Sequence, residues 1–447
     1  MNSTRTIFIT SFNPFATRNI LFSDAFKLLS RKSDLRLVIF CPDYKKDYFQ
    51  EKFGGENVII EGIKTELVTK QDIIFSYLGR SVINTGMLSL HRREIFHRNH
   101  KIFNFLFSYF IVFFGYLPFI KKIIRWLDLR TIDGSKLVNY FDQYRPDLVF
   151  SLDVFHMDDV HFLAEAKKLS IATVGMVRSW DNISGKGLFR MKPDKLVVNN
   201  EIIRDEAIKH EDVAMKNIFV SGMPQFDFYF NYQPVSREIF FKTLNFDPKK
   251  KKTILVAPHG SRFFKYDWQI FEILKTMPYQ FILRLPPNDK IDFASFKPSE
   301  NFFIEHPGLT FQEGVYRDRE LSVQDSQRLA DELHHCELVV SYGSTIIIDA
   351  AFFDKPVVMI AFDGLEKKSY IESEKRYLKY AHMEKMLKTN CCWTADSATS
   401  LKKGIETYLA EPALHREGRK KLLEQELWKL DGQSGKRIAE FILKQLV

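Results

Sequence analysis

Short runs of β-branched and apolar residues alternate with longer stretches of helical periodicity along the whole chain. That alternation is the pattern of parallel α/β sheets, whose strands are buried on both faces and joined by helices. In the first half the strand candidates are residues 6–11, 35–41, 147–153, 171–177, 195–199 and 218–222. In the second half they are 253–258, 280–285, 302–306, 338–341 and 357–362. Between the two sets, residues 232–252 are polar and basic and carry Pro234 and Pro248. The pattern therefore predicts two Rossmann-like domains, 1–235 and 250–430, facing across a ligand cleft. After Pro412 a charged helical pattern runs to a break at Gly432 and Gly435. The last segment, 431–447, carries Ile438, Phe441 and Ile442 on one helical face and is expected to pack back on the first domain.

One segment departs from this alternation. Residues 102–120 hold no charge and match the length of a membrane-spanning helix. Arg92, Arg93, Arg98 and Lys101 precede the segment, and Lys121, Lys122, Arg125 and Arg130 follow it. A true span would split one parallel sheet across the bilayer, because strand candidates lie on both sides of it. A hydrophobic arm lying in the membrane interface, with a basic collar drawn to anionic lipid over 92–130, avoids that conflict. The competing expectation is a buried core helix.

Composition narrows the class of partner. The 447 residues carry a net charge of +9, which implies an anionic partner: nucleotide, phospholipid surface or nucleic acid. Nucleic acid is disfavoured, since the basic residues surround an apolar segment and not an aromatic stacking surface. The four cysteines, Cys41, Cys336, Cys391 and Cys392, have no C-x-x-C spacing, so a reduced, cytosolic chain without a structural metal is expected. The start runs directly into the first strand candidate, and no secretory signal is expected there.

Ligands of open α/β sheets gather at the carboxyl ends of strands, so the chemistry is sought in the loops that follow them. After the strand 338–341 come Gly343, Ser344 and Thr345, then a helical pattern with Asp349 one turn further on. A helix start with small and hydroxyl residues suits a diphosphate, and a carboxylate one turn on suits both hydroxyls of a ribose. An ordinary capped strand–helix corner is the alternative. His259 and Arg262 follow the strand 253–258 and would stabilise charge on a leaving group, or form a surface turn. Arg284 ends the strand 280–285, where it either binds phosphate or pairs with an acidic neighbour. In the first half, Asp181 follows the strand 171–177 and is the first candidate for a general base; an Asx-type turn is its other reading. Asp153, His156 and Asp158, after the strand 147–153, are the reserve candidates. No D-x-D pair is seen, and metal independence is expected, with cationic side chains and a helix dipole in the metal's place.

These loops carry a resemblance. The stretch 180–364 resembles the CDP-glycerol glycerophosphotransferase (teichoic-acid primase and polymerase) family, of GT-B glycosyltransferase architecture. Where that family has W-H-G-x-P-x-K-x-G, this chain has Trp180, Asp181 and then Lys186-Gly187. The family's G-x-P-R-x-D is similar to Gly222-Met-Pro-Gln-Phe-Asp227, and its Y-A-P-T-x-R to the run from Val256 to Arg262 with one extra residue. R-P-H-P is matched by Arg284-Leu-Pro-Pro287, and the final acidic, apolar and serine block by Asp325 through Ser344, Lys355-Pro356 and Ala361-Phe-Asp363. Two family histidines are replaced, by Asp181 and by Pro286.

The resemblance implies a GT-B fold with C-terminal helices. The expected activity is transfer of a sugar from a UDP-, CDP- or GDP-linked donor to a glycan or lipid-linked acceptor, at the cytoplasmic face of the membrane, without a cofactor. A CDP-polyol phosphotransferase is the nearest alternative. A non-catalytic nucleotide-binding scaffold at the membrane is the next, and a sugar-nucleotide epimerase is disfavoured by the apolar segment.

Overall fold

The computed structural model describes residues 4–64, 67–117, 119–247, 252–260, 266–287, 293, 295–312 and 318–446. The chain divides into two compact units: 1–228 with 426–447, and 229–425.

The first unit is built on seven strands: β1 (Arg5–Thr10), β2 (Leu35–Pro42), β3 (Val58–Ile63), β4 (Leu148–Ser151), β5 (Ala172–Met176), β6 (Lys195–Val198) and β7 (Ile218–Val220). They form one sheet in the order β3-β2-β1-β4-β5-β6-β7, with every neighbouring pair parallel. The strand order reverses between β1 and β4, and crevices for ligands open at such switch points. Register places Thr10 beside Ser151 there.

The second unit contains β8 (Thr253–Ala257), β9 (Gln280–Arg284), β10 (Phe302–Glu305), β11 (Leu309–Thr310), β12 (Arg319–Glu320), β13 (Leu338–Ser341), β14 (Val357–Ile360) and β15 (Trp393–Ala395). Six of them make a parallel sheet, β10-β9-β8-β13-β14-β15, and β11 with β12 forms a small antiparallel pair. Its switch point lies between β8 and β13, with Ala257 beside Ser341.

All eleven strand candidates are strands, with ends shifted by a residue or two. Sequence periodicity missed β3, β15 and the β11–β12 pair. β3 interrupts its apolar run with Glu61 and Gly62, and β15 is three residues long, so neither carries a full buried-strand signal. Both are sheet edges.

The C-terminal helix Ser434–Leu443 belongs to the first unit. Ile438, Ala439 and Ile442 are buried in the core beneath β1, β2 and β4, and Phe441 stacks on Phe219 at 4.3 Å. Its entry is fixed by the motif that begins at Gly222. Gly222 has φ of 87°, and a Cβ there would stand 2.5 Å from the Ser434 hydroxyl. Five residues on, Asp227 accepts the Gly435 N–H at 2.7 Å.

The apolar segment forms two helices, Ile102–Gly115 and Ile120–Thr131, set at 111° to each other. Among the described residues no single helix is long and apolar enough to cross a membrane; this bent pair passes by length and composition alone. One face of the first helix is packed: Ile111 joins Val82, Ile83, Leu88 and Leu188 in a small core. Gly115 lies so close to the helix Lys70–Val82 that a Cβ would overlap the Val82 carbonyl. The opposite face is bare, with Phe103, Leu106, Phe110 and Phe113 at 58–75% exposure. A fully buried core helix is therefore not what this segment forms.

Candidate functional site

In the second unit, β13 ends at Ser341 and a turn leads into the helix Ile346–Phe352. The Ser341 hydroxyl lies 3.1 Å from the Ala257 carbonyl and 3.1 Å from the Ser344 hydroxyl, so the turns after β8 and β13 are tied together. Thr345 takes the helix N-cap position with φ of −57° and no side-chain capping bond. Gly343 has a packing reason: a Cβ there would meet the Met383 methyl at 2.3 Å. Asp349 is partly buried, and its Oδ1 accepts the Tyr229 hydroxyl at 2.8 Å.

Beside this turn, His259 sits with its ring 5.1 Å from Tyr342 and nearly parallel to it, and 5.2 Å from Tyr377. Its Nδ1 lies 3.1 Å from the Glu374 carboxyl. Glu374 is itself placed by its own N–H, donated to Asp363 at 2.7 Å. Backbone N–H groups of His259 and Gly260 donate to Asp267. Burial pushes the Asp267 carboxyl up to about 6, against the pull of His259 and those N–H groups. The histidine, the hydroxyls and the helix start thus share one edge of the sheet. Arg262 lies outside the described residues.

Arg284 is buried and engaged inside the fold. Its guanidinium donates to Glu332 at 2.9 Å and to the Asp325 carbonyl at 3.3 Å. Of the two readings its sequence position left open, the acidic neighbour is the one the geometry shows. Glu332 is fully buried; burial pushes its carboxyl up to about 7 in spite of Arg284.

In the first unit the residues after β4 form a dense polar cluster. Asp153 accepts from Arg178 at 2.9 Å and has Lys186 at 3.6 Å. Burial alone would raise its carboxyl, but Lys186, Arg178 and His156 outweigh that and hold it well below the usual range. His156 stacks on Phe12, and its Nδ1 lies 3.6 Å from carboxyl oxygens of Asp158 and Asp159. Burial pushes Asp158 up to about 6. Behind them, His161 meets both oxygens of Asp72 at 3.2 Å, and Arg190 bridges Asp72 and Asp128 at 2.7 Å each. Asp181 stands at the start of the short helix Asn182–Lys186, where its Oδ1 accepts from Ser179 at 2.6 Å and from Asn182 at 3.0 Å. Both donors are side chains, so these bonds are a local side-chain cluster and not the backbone Asx-type turn that is the alternative reading of Asp181.

The sequence profile described as CDP-Glycerol:Poly(glycerophosphate) glycerophosphotransferase matches residues 186–444, more than half of the chain. The chain belongs to that family. Its motifs now have structural meanings. The Lys186-Gly187 pair sets an ammonium beside Asp153 and packs a glycine, at φ of 91°, against the backbone of Arg80. Gly222 and Asp227 hold the returning C-terminal helix, and Lys355 caps the carbonyls of His334 and Cys336 at 2.9 Å.

Solved structures across the whole length share the fold. The UDP-GlcNAc 2-epimerase of Neisseria meningitidis bound to UDP-GlcNAc is 12% identical, with a TM-score of 0.56 over 98% of this chain and 100% of that one. The S. aureus MnaA–UDP structure is 11% identical, with a TM-score of 0.56 over 99% and 98%. A glycosyltransferase from Rickettsia africae is 10% identical, with a TM-score of 0.52 over 100% and 99%. No curated protein matches the chain in sequence. The likeness establishes a GT-B fold, and the family makes the chain a transferase.

Sequence reasoning missed Tyr229, Asp267, Glu374 and the Asp72–His161–Arg190 set. Tyr229 and Glu374 lie in helical stretches with no motif of their own, far in sequence from the residues they hold. Asp72 offered one signal, its place three residues after Thr69 in a capping box, which marks a helix start and nothing more.

Proposed function

We propose that the chain is a glycosyltransferase that moves a sugar from a nucleotide-linked donor to a hydroxyl of a membrane-associated or cell-surface glycan. The observation that carries this is the edge formed by Ser341, Ser344, Thr345, Asp349 and His259 in the second unit. Helix-start N–H groups and hydroxyls suit a diphosphate, Asp349 suits a ribose, and His259 suits the charge left on the departing phosphate. Known structures of the same fold hold UDP-GlcNAc and UDP, which agrees with a nucleotide at such an edge.

A second reading, transfer of a polyol phosphate from a CDP-linked donor, is favoured by family membership. Against it stand the two replaced family histidines, at Asp181 and Pro286. Family membership and the replacements pull in opposite directions on the transferred group, not on the nucleotide.

The exposed apolar face of the helix Ile102–Gly115 supports work at a membrane surface. Exposed Arg93, Arg98, Lys101, Lys122 and Arg130 flank it and suit the anionic lipid of a cytoplasmic leaflet.

A thermal-shift screen of the full chain against CDP, UDP, GDP, CDP-glycerol, CDP-ribitol and common sugar nucleotides tests the reading, since a ligand that binds only the folded state raises Tm. A shift with sugar nucleotides supports the glycosyltransferase. A shift confined to the CDP-polyols transfers the conclusion to the second reading, and no shift with any nucleotide counts against a nucleotide site in the second unit.

A further inference from the structure

The polar cluster after β4 contains an arrangement that the helix start alone does not explain. His156 is the N-cap residue of the helix Met157–Lys168, and Asp158 and Asp159 lie in its first turn. Acidic residues in a first turn complement the helix dipole. The dipole does not require two buried carboxyls to converge on one imidazole. Yet Oδ2 of Asp158 and Oδ2 of Asp159 both lie 3.6 Å from Nδ1 of His156. Asp158 and Asp159 are 5% and 1% exposed, whereas 23% of the His156 side chain reaches solvent.

Asp159 is fixed from behind. Its Oδ1 accepts the hydroxyls of Thr10 and Ser151, which register sets side by side on β1 and β4, and the N–H of Asp153. Its Oδ2, like Oδ1 of Asp158, has no hydrogen-bond partner among the described residues. Buried carboxyl oxygens in that state are costly, and they call for a proton or a polar group between them and the ring. Among the described residues the other charged neighbours include Asp153, with Arg178 and Lys186 upon it, and His161 and Asp72 behind Asp158; Phe12 covers one ring face. The whole group stands at the switch point of the first sheet, where ligands of this architecture gather.

We propose that His156 is the catalytic base of the first unit, taking the proton of the acceptor hydroxyl, with Asp158 and Asp159 as positioning residues. This rests on the transferase reading above. As the acceptor oxygen bonds to the electrophilic centre of the donor, its proton passes to Nε2 of His156. The nucleotide leaves with the electron pair of the broken bond. The Asp158 and Asp159 carboxyls, 3.6 Å from Nδ1, favour a proton there by charge and not by a direct hydrogen bond, which leaves the lone pair on Nε2 and stabilises the imidazolium that forms. Asp181 is less suited, since one of its oxygens already accepts two internal hydrogen bonds.

Two measurements on the full chain test this. The first is nucleotide release from CDP-glycerol, CDP-ribitol, UDP-GlcNAc and GDP-mannose, with a membrane-glycan extract supplied as acceptor, by the wild type, His156→Gln and Asp181→Asn. His156→Gln is expected to lose about 100-fold or more in kcat, with donor KM little changed and the acid limb of the pH profile gone. The second is the imidazole titration of His156 by NMR, assigned with His156→Gln. In Asp158→Asn its midpoint is expected to fall by about one pH unit, at an unchanged Tm. Full turnover by His156→Gln, with loss in Asp181→Asn, overturns the base assignment and leaves the transferase standing. No release by the wild type from any donor overturns the transferase reading and, with it, the step His156 would serve. An unmoved midpoint in Asp158→Asn overturns the positioning role whether or not a donor is turned over.

Discussion

The Tyr229 hydroxyl donates to Asp349 over 2.8 Å, so the carboxylate offered to a ribose is oriented by a partner from outside its own strand–helix corner. Tyr229 is itself wedged against Phe352 and Phe353, at ring distances of 5.2 and 5.0 Å, which locks its own position. A ribose would share Asp349 with Tyr229.

Asp349→Ala should therefore weaken CDP or UDP binding by more than tenfold, while loss of the Tyr229–Asp349 hydrogen bond should cost about 1 kcal/mol of stability. Tyr229→Phe keeps the ring packing and should change affinity by less than that. Titration calorimetry of both variants checks the pair, and equal nucleotide affinity in Asp349→Ala and wild type would remove Asp349 from the donor site.

Arg284 and Glu332 make a different kind of test. Arg284→Met leaves Glu332 buried beside Arg328, at 3.5 Å, and should cost about 3 kcal/mol by urea unfolding at pH 8. The loss should shrink at pH 5.5, where Glu332 takes a proton. The double change Arg284→Met with Glu332→Leu should regain most of the stability. If its nucleotide affinity matches wild type, Arg284 is a structural residue; a tenfold loss would return it to the donor site.

Stability should also rise as pH falls from 8 toward 5. Burial pushes Asp158 and Asp267 up to about 6, and Glu211 and Glu332 up to about 7. Between the unfolded carboxyl range, near 4, and those values, the folded state holds protons that the unfolded chain releases, which favours the folded state in acid. Asp72 and Asp153 work in the opposite sense. Burial opposes their charge, but His161, Thr69 and Arg190 around Asp72, and Lys186 and Arg178 around Asp153, hold both below the usual range. Their contribution is present above about pH 4 and lost below it. Urea midpoints measured from pH 3 to 8 should peak near pH 5, and a monotonic rise to pH 8 would contradict the raised carboxyls.

The bare face of the helix Ile102–Gly115 predicts a membrane effect without a folding effect. Phe103 and Phe113 are 75% and 71% exposed, so replacing both with glutamate should leave Tm within about 2 °C of wild type. Sedimentation with vesicles of phosphatidylglycerol and phosphatidylcholine should show binding reduced at least tenfold. Lys122→Glu with Arg130→Glu should lower binding less, and chiefly at low salt. Wild-type vesicle binding that is untouched by the paired phenylalanine change would assign that face another role.

Hydrophobic periodicity was enough to show two parallel sheets, because a strand buried on both faces must be apolar along its length. It was enough, too, to set Ser344, Thr345, Asp349 and His259 at strand ends, since in this architecture chain order and sheet edge are linked. The G-x-P motif at Gly222 was legible as a family motif, but that it is the corner where the C-terminal helix returns came only from the structure. What only the tertiary structure decided is which polar side chains meet. Arg284 reads as a phosphate ligand or an ion-pair partner until Glu332, 48 residues further along, is seen beside it. Asp181 reads as a base or a local turn, and only the structure shows Ser179 and Asn182 on one of its oxygens. His156 gains its interest from Asp159, which is held in turn by Thr10, 149 residues away in the chain. Burial and hydrogen bonding across such separations set the charge state and reach of each group, and neither is written in local spacing.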